Sequence, residues 1–249
     1  MHRKNIDMDI LKKIRKSKGE IAVLIDPEKT FEKEHIEKLI NKINVSNISF
    51  IFVGGSTLKK LNLDPIIKLI KTLSKVPVII FPGNHSQVSS HADGIFYLSL
   101  LTTKNPQFLI DEQIKSTPKI IKSNLDVIPT GYILLDETGK SSTSKITQNT
   151  TNKTSKKELL NLSFTAKFMG KKLLIIDNGS GSKNSIQNID LKEIKEKTDL
   201  PIIVGGGIKS TKEIINLKNL GSNIIIVGNF IEENLDFLDE IKKLNLNNN

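Results

Sequence analysis

Four short glycine-bearing clusters stand directly after apolar runs in this chain: Gly54-Gly55-Ser56-Thr57, Asn178-Gly179-Ser180-Gly181, Gly205-Gly206-Gly207 and Gly228-Asn229. Glycine lets a backbone come close to a ligand, and successive N–H groups then make a concave anion site. A helix opening just beyond adds its positive end. One such cluster alone would make only a tight turn. The last three, taken together, suit a backbone cradle for phosphate. Elsewhere Asp26-Pro27 follows the first apolar run, and Ser56 or Thr57 follows the second. A carboxylate and a hydroxyl are a sparse, hard-oxygen set. They suit Mg2+, which keeps several waters and shares its shell with substrate phosphates; a plain turn is the other reading of Asp26-Pro27. The histidines are His2, His35, His85 and His91. Only His85 falls near the end of an apolar run, and it reads as a loop residue rather than a base.

Composition narrows the partners. Over 249 residues, Lys+Arg is 37 against 27 for Asp+Glu, a net charge of +10. Nucleic acid, an anionic membrane or a phosphorylated substrate would each suit that excess. All the basic residues except Arg3 and Arg15 are lysine. A reader of duplex DNA would use arginine forks on guanine, so nucleic acid is not expected. A lysine-rich solvated surface is the plainer account. The chain has no Cys, which excludes disulfides, thiolate metal sites and cysteine nucleophiles. Aromatics are only 5%, a poor supply of stacking platforms for bases. The segment from Met1 to Lys18 is charged and helix-like, with no apolar signal core. The longest apolar runs, such as Val78 to Phe81 and Ile224 to Val227, fall far short of the ~20 residues of a bilayer span. A cytoplasmic protein with no transmembrane segment is expected.

The elements that must position these residues alternate. Strand candidates are Glu20 to Ile25, Ile48 to Val53, Val76 to Phe81, Gly94 to Leu100, Val127 to Leu135, Lys172 to Asp177, Pro201 to Val204 and Asn223 to Val227. Several are apolar throughout, as parallel strands covered on both faces are. Between them run amphipathic stretches: Phe31 to Ile43, Asp64 to Leu73, Pro106 to Ser123, Lys156 to Met169, Leu191 to Lys197, Lys212 to Asn219 and Ile231 to Leu244. Ser155 with Glu158, and Ser210 with Glu213, have capping-box spacing. Gly170 and Gly221 stand where a left-handed C-terminal residue is wanted.

Eight strands and their helices in one chain of this length predict a single-domain (β/α)8 barrel, an α/β fold, over residues 1–249. A doubly wound open sheet is the runner-up, weakened because no G-x-G-x-x-G follows the first strand. The third connection, Gly83 to Asp93, is short, so its helix should be reduced. Asp136 to Thr154 is too rich in Ser, Thr and Asn for a helix interior and reads as a mobile loop over the C-terminal mouth.

With the barrel in place, a wider set of motifs falls into line: Leu24-Ile25-Asp26-Pro27-Glu28-Lys29, Val53-Gly54-Gly55-Ser56, Phe81-Pro82-Gly83 with Ser86-Gln87, and Ile128-Pro129-Thr130-Gly131-Tyr132. They continue with Gly179-Ser180-Gly181, Val204-Gly205-Gly206-Gly207-Ile208 and Val227-Gly228-Asn229. In order and spacing the chain resembles the geranylgeranylglyceryl phosphate synthase family, and Gly131 to Asp136 resembles its second, bacterial group. The resemblance implies a Mg2+-dependent prenyltransferase of phospholipid biosynthesis. Such an enzyme moves a long prenyl group from its diphosphate to the 3-hydroxyl of sn-glycerol 1-phosphate. It implies Asp26 and Ser56 as metal ligands. It also implies that Ile175, Ile176, Asp177, Asn178, Gly179, Ser180, Gly181, Gly206, Gly207, Gly228 and Asn229 surround glycerol phosphate. Asp177 is then the catalytic carboxylate, where the family usually has Glu, and Ile175 stands where it commonly has Tyr. Family members are often oligomers, so a homo-oligomer is expected. The alternatives are a phosphosugar isomerase or lyase on the same barrel, and a noncatalytic basic surface binder.

Overall fold

Each apolar run becomes a parallel strand, and the last pairs with the first. The strands are β1 (Glu20–Ile25), β2 (Phe50–Val53), β3 (Val78–Ile80), β4 (Gly94–Leu100), β5 (Asp126–Leu134), β6 (Leu173–Asp177), β7 (Ile202–Gly205) and β8 (Ile224–Val227). They form a closed barrel in chain order, sealed by Ala22 of β1 lying beside both Phe50 and Ile226. This computed structural model describes residues 9–28, 32–56, 62–136, 139, 141–147, 154–179 and 189–246. The helices are α1 (Ile10–Lys16), α2 (Lys33–Val45), α3 (Asp64–Leu73), α4 (Glu112–Ile121), α5 (Ser142–Thr147), α6 (Lys156–Phe168), α7 (Leu191–Thr198), α8 (Thr211–Asn219), α9 (Asn229–Glu233) and α10 (Phe237–Leu246).

Side-chain alternation along the strands makes two cores. Phe50, Phe52, Phe96, Ile175 and Ile203 fill the barrel, whereas Ile51, Val53, Ile176, Val204 and Ile225 pack under the helices. One end of the barrel is stopped by α1, whose Ile10 and Ile14 join the inner cluster. The Asn223 side-chain amide fastens that helix by donating to the carbonyls of Ile14, Arg15 and Ser17. Asp126 accepts the Ile10 N–H. The other, C-terminal rim is left open.

Local signals act as their chemistry requires. Ser155, Asp190 and Ser210 cap α6, α7 and α8 by accepting the third N–H of each helix. Gly170 and Gly221 take left-handed φ of 76° and 100°. Between β3 and β4 no helix forms over residues 81–93, which run through turns instead.

Three expectations change. The Pro106 to Ser123 helix begins as a π-helical turn, Gln107–Asp111, before α4 takes over. The last helical stretch splits into α9 and α10. There the Asn234 side chain accepts the Asp236 N–H and turns the chain out of the helix. Within the polar segment 136–154, residues 142–147 do form a helix. It is locally nucleated: Ser141 takes Asp136 Oδ2 on its N–H, and its hydroxyl accepts the Ser144 N–H.

Candidate active site

A cavity open at the rim is lined by Asp26, Ser56, His85, Tyr132, Asp177 and Asn229. The C-terminal face is where (β/α)8 barrels carry their chemistry. Two backbones meet tightly on its β1–β3 side, with the Asp26 side chain laid against them. A Cβ at Gly54 would stand 1.9 Å from the Phe81 carbonyl oxygen, and one at Gly83 would stand 2.0 Å from that of Gly55. A Cβ at Gly55 would be 2.4 Å from Asp26 Oδ1. Only glycine allows this stacking. The fully buried Gln87 seams it by accepting the Gly83 N–H at 3.0 Å and donating to the Gly55 carbonyl at 3.0 Å. Asp26 is braced in turn: its N–H donates to Glu232 Oε1 at 3.1 Å, and its Oδ1 accepts the Glu28 N–H.

The oxygen donors described on this side are the Asp26 carboxylate and the Ser56 hydroxyl, with the Glu232 carboxylate beside Asp26. Among the described residues no three or more His, Asp or Glu form a cage for a metal ion. Such a set fits a hard cation that keeps its waters and shares a ligand phosphate, rather than one wrapped by protein.

Opposite stands Asp177, the last residue of β6. Its Oδ2 accepts the Tyr132 hydroxyl at 2.8 Å and its Oδ1 accepts the Gly179 N–H at 2.9 Å. Burial pushes the Asp177 carboxyl above its ordinary range, and the hydrogen bonds from Tyr132, Gly179 and Asn178 offset this only in part. Burial, with the Asp177 charge beside it, drives the Tyr132 phenol far above its usual value, so it remains a donor. Gly206 and Gly207 follow β7 with φ of 89° and 72°. A Cβ on Gly206 would lie 2.5 Å from Asp177 Oδ1 and 2.7 Å from the Asn178 nitrogen. The β7 loop is thus laid against the β6 loop without a side chain between them.

The cavity then runs away from the rim along an apolar bed that includes Phe81, Val88, Phe96, Leu98, Leu100 and Phe108. It reaches α4 because no helix covers residues 81–93. Phe81 sets its ring edge-on to both Phe96 and Tyr132, with centroids 5.8 Å apart in each pair. Above the bed, His85 and Glu112 bridge the 81–93 loop to α4: the His85 Nδ1 and N–H both lie against Glu112 Oε2, at 2.7 and 2.6 Å. Burial alone would raise the Glu112 carboxyl, but the hydrogen bonds from His85 and Gln107 hold it below its ordinary range.

Of the residues singled out in the sequence, Asp26, Ser56, Asp177 and Asn229 line this one cavity. Asn178, Gly179, Gly206 and Gly207 lie in the adjoining loops. Gly228 sits behind Asn229, where a Cβ would make only ordinary contact with Leu24 at 3.5 Å. Ile175 and Ile176 are wholly buried, one inside the barrel and one under the helices, so their side chains are core and not cavity lining. Ser180, Gly181 and Thr57 fall outside the described residues. Sequence reasoning gave no role to Tyr132, Gln87, Glu112 or Glu232. Tyr132 had a signal: two-residue alternation puts it on the inner face with Leu134, whose register partner is Asp177. Glu232 had none, being brought to Asp26 across 206 positions.

Comparison with known proteins agrees with this geometry. A profile of the PcrB family matches residues 12–245. A geranylgeranylglyceryl phosphate synthase of Chitinophaga pinensis is 37% identical over 231 residues, covering 91% of each protein. That of Zunongwangia profunda is 35% identical over 224 residues, 90% of this chain and 95% of the relative. The solved structure of (S)-3-O-geranylgeranylglyceryl phosphate synthase from Thermoplasma acidophilum, in complex with its substrate sn-glycerol-1-phosphate, superposes with a TM-score of 0.85. It is 26% identical and the match covers 96% of both chains. With a match that spans nearly its whole length, this chain belongs to the PcrB family.

Proposed function

We propose that the protein is a geranylgeranylglyceryl phosphate synthase, transferring a long prenyl group from its diphosphate to the 3-hydroxyl of sn-glycerol 1-phosphate. One observation carries the reading: a single cavity joins a glycine-lined polar rim to an apolar bed. A small phosphosugar would need the first and have no use for the second. The β6–β8 loops, with Asp177, Gly206, Gly207 and Asn229, take glycerol phosphate. Asp177 accepts hydrogen bonds from the glycerol hydroxyls and draws the proton from the attacking oxygen. The donor diphosphate lies on the β1–β2 side and its tail over Phe81, Phe96 and Phe108. Asp26 and Ser56 would hold Mg2+, which supplies positive charge to the diphosphate as the allylic C–O bond breaks. Fixing both ends brings hydroxyl and allylic carbon into line, where proximity itself accelerates transfer.

Incubation with prenyl diphosphates of graded length, labelled glycerol 1-phosphate and Mg2+ tests the reading. An ether-linked product that forms only when all three are present is expected; no product from any donor would overturn it. A homo-oligomer is part of the same proposal. Phe168 on α6 is 81% exposed beside Met169, and its ring stacks on Phe164, an apolar face suited to a second copy. Light scattering would decide it.

A further inference from the structure

The α4 helix divides its circumference in an unusual way. At about 100° per residue, Ile114, Pro118 and Ile121 fall on one stripe, which Ile110 extends into the preceding π turn. All four are exposed, Ile114 by 62% and Ile121 by 67%. Next round the helix come Lys115, Lys119 and Lys122, also exposed. Beyond the lysines the helix turns into the trough: Glu112 and Ser116 line the rim cavity, and Lys119 and Ser123 line a second hollow beside it. Val88 borders both hollows, so the apolar bed leads towards the lysine ridge. The acidic residues of this segment, Asp111 and Glu112, stand at its first turn, and Glu112 is engaged by His85.

We infer that this face of α4 docks on an anionic lipid bilayer, with the isoleucines entering the interface and the lysines meeting the headgroups. An apolar stripe edged by lysines is the pattern of helices that lie in a membrane surface, and each such cation adds attraction to anionic lipid. A second copy of the chain matches less well, since its α4 would set the same three lysines against these, with Asp111 and Glu112 confined to the first turn. The net charge of +10 acts in the same sense. Docking would set the opening of the trough at the level of the acyl chains. A long-tailed donor could enter there, and a long-tailed product leave, without crossing water. That use rests on the prenyl-transfer reading; the docking does not.

The test is co-sedimentation of the full chain with vesicles, without substrates, so its failure is distinct from failure of the transfer assay. Vesicles of phosphatidylcholine alone are compared with vesicles containing phosphatidylglycerol. Binding to the anionic vesicles that weakens as salt is raised is expected. Reversing two cations, Lys119→Glu with Lys122→Glu, should weaken it about tenfold or more. The Ile114→Asp, Ile121→Asp pair should abolish it while leaving the melting temperature and the turnover of a detergent-dispersed donor unchanged. No binding to anionic vesicles at low salt would overturn the inference, as would equal binding by the variants. So would a halved mass in the isoleucine variant with vesicle binding intact, which would assign the face to a second copy.

Discussion

Asp177 carries opposing demands, because the burial that readies it as a base also works against the fold. Its folded pKa is raised above the unfolded value. Below the unfolded value the group costs nothing. As pH rises through the interval between the two values the native state loses stability, and the full cost is reached above the folded value. Asp177→Asn should therefore lower transfer by about 10²–10⁴-fold while the melting temperature at neutral pH holds or rises; a turnover assay beside a thermal melt checks both. Tyr132→Phe removes the hydroxyl that partly offsets burial. The Asp177 carboxyl should then titrate higher still, moving the acid limb of the pH–rate profile upward and leaving the rate at high pH closer to the parent's. Across the cavity, Asp26→Asn keeps the shape and removes the charge. Turnover should collapse and its response to added Mg2+ flatten, with no change in the melt; full activity in excess chelator would remove the metal from the scheme.

Loops are where the elements meet the ligand, and the glycine at 206 sets how closely two of them approach. Gly206→Val puts a side chain at φ 89° and within 3 Å of Asp177 Oδ1 and the nitrogens of Asn178 and Gly179. Calorimetry should show glycerol 1-phosphate binding lost, with prenyl diphosphate binding kept. Gly170→Ala is the control: its φ of 76° is equally left-handed, but a Cβ there meets nothing within 4 Å. It should cost about 1–2 kcal/mol of stability and no affinity. The strands themselves were legible because parallel strands buried on both faces are continuous apolar runs, as Ile202–Gly205 and Ile224–Val227 show. The glycine loops were legible because close backbone approach has one cheap residue. What could not be read were contacts between distant side chains. The Gln87 seam to Gly55, the His85–Glu112 bridge and the Glu232 brace on Asp26 join segments that share no local pattern. The helix at 142–147 was hidden for another reason: its start depends on Asp136 and Ser141 side chains, and its composition argues against it.

For the molecule as a whole, the barrel divides labour between its two ends. The rim holds left-handed glycines and a buried carboxylate, and the stability to carry them comes from the inner core and its stopper. Ile14 is wholly buried in that core. Ile14→Ala should cost about 2–5 kcal/mol in denaturant melts while leaving KM for both substrates unchanged. The stopper has a kinetic side as well. Ile14 and the amide that holds its helix are 209 positions apart, and Asn223 directly precedes the final strand. An early helix is thus docked by a late residue, after the strands between them have been laid down. While the chain is being made, Ile10 and Ile14 have no barrel to enter, and they stay uncovered until residue 223 has emerged. Asn223→Ala should accordingly speed unfolding and leave the refolding rate nearly untouched, since a contact made last is absent from the transition state.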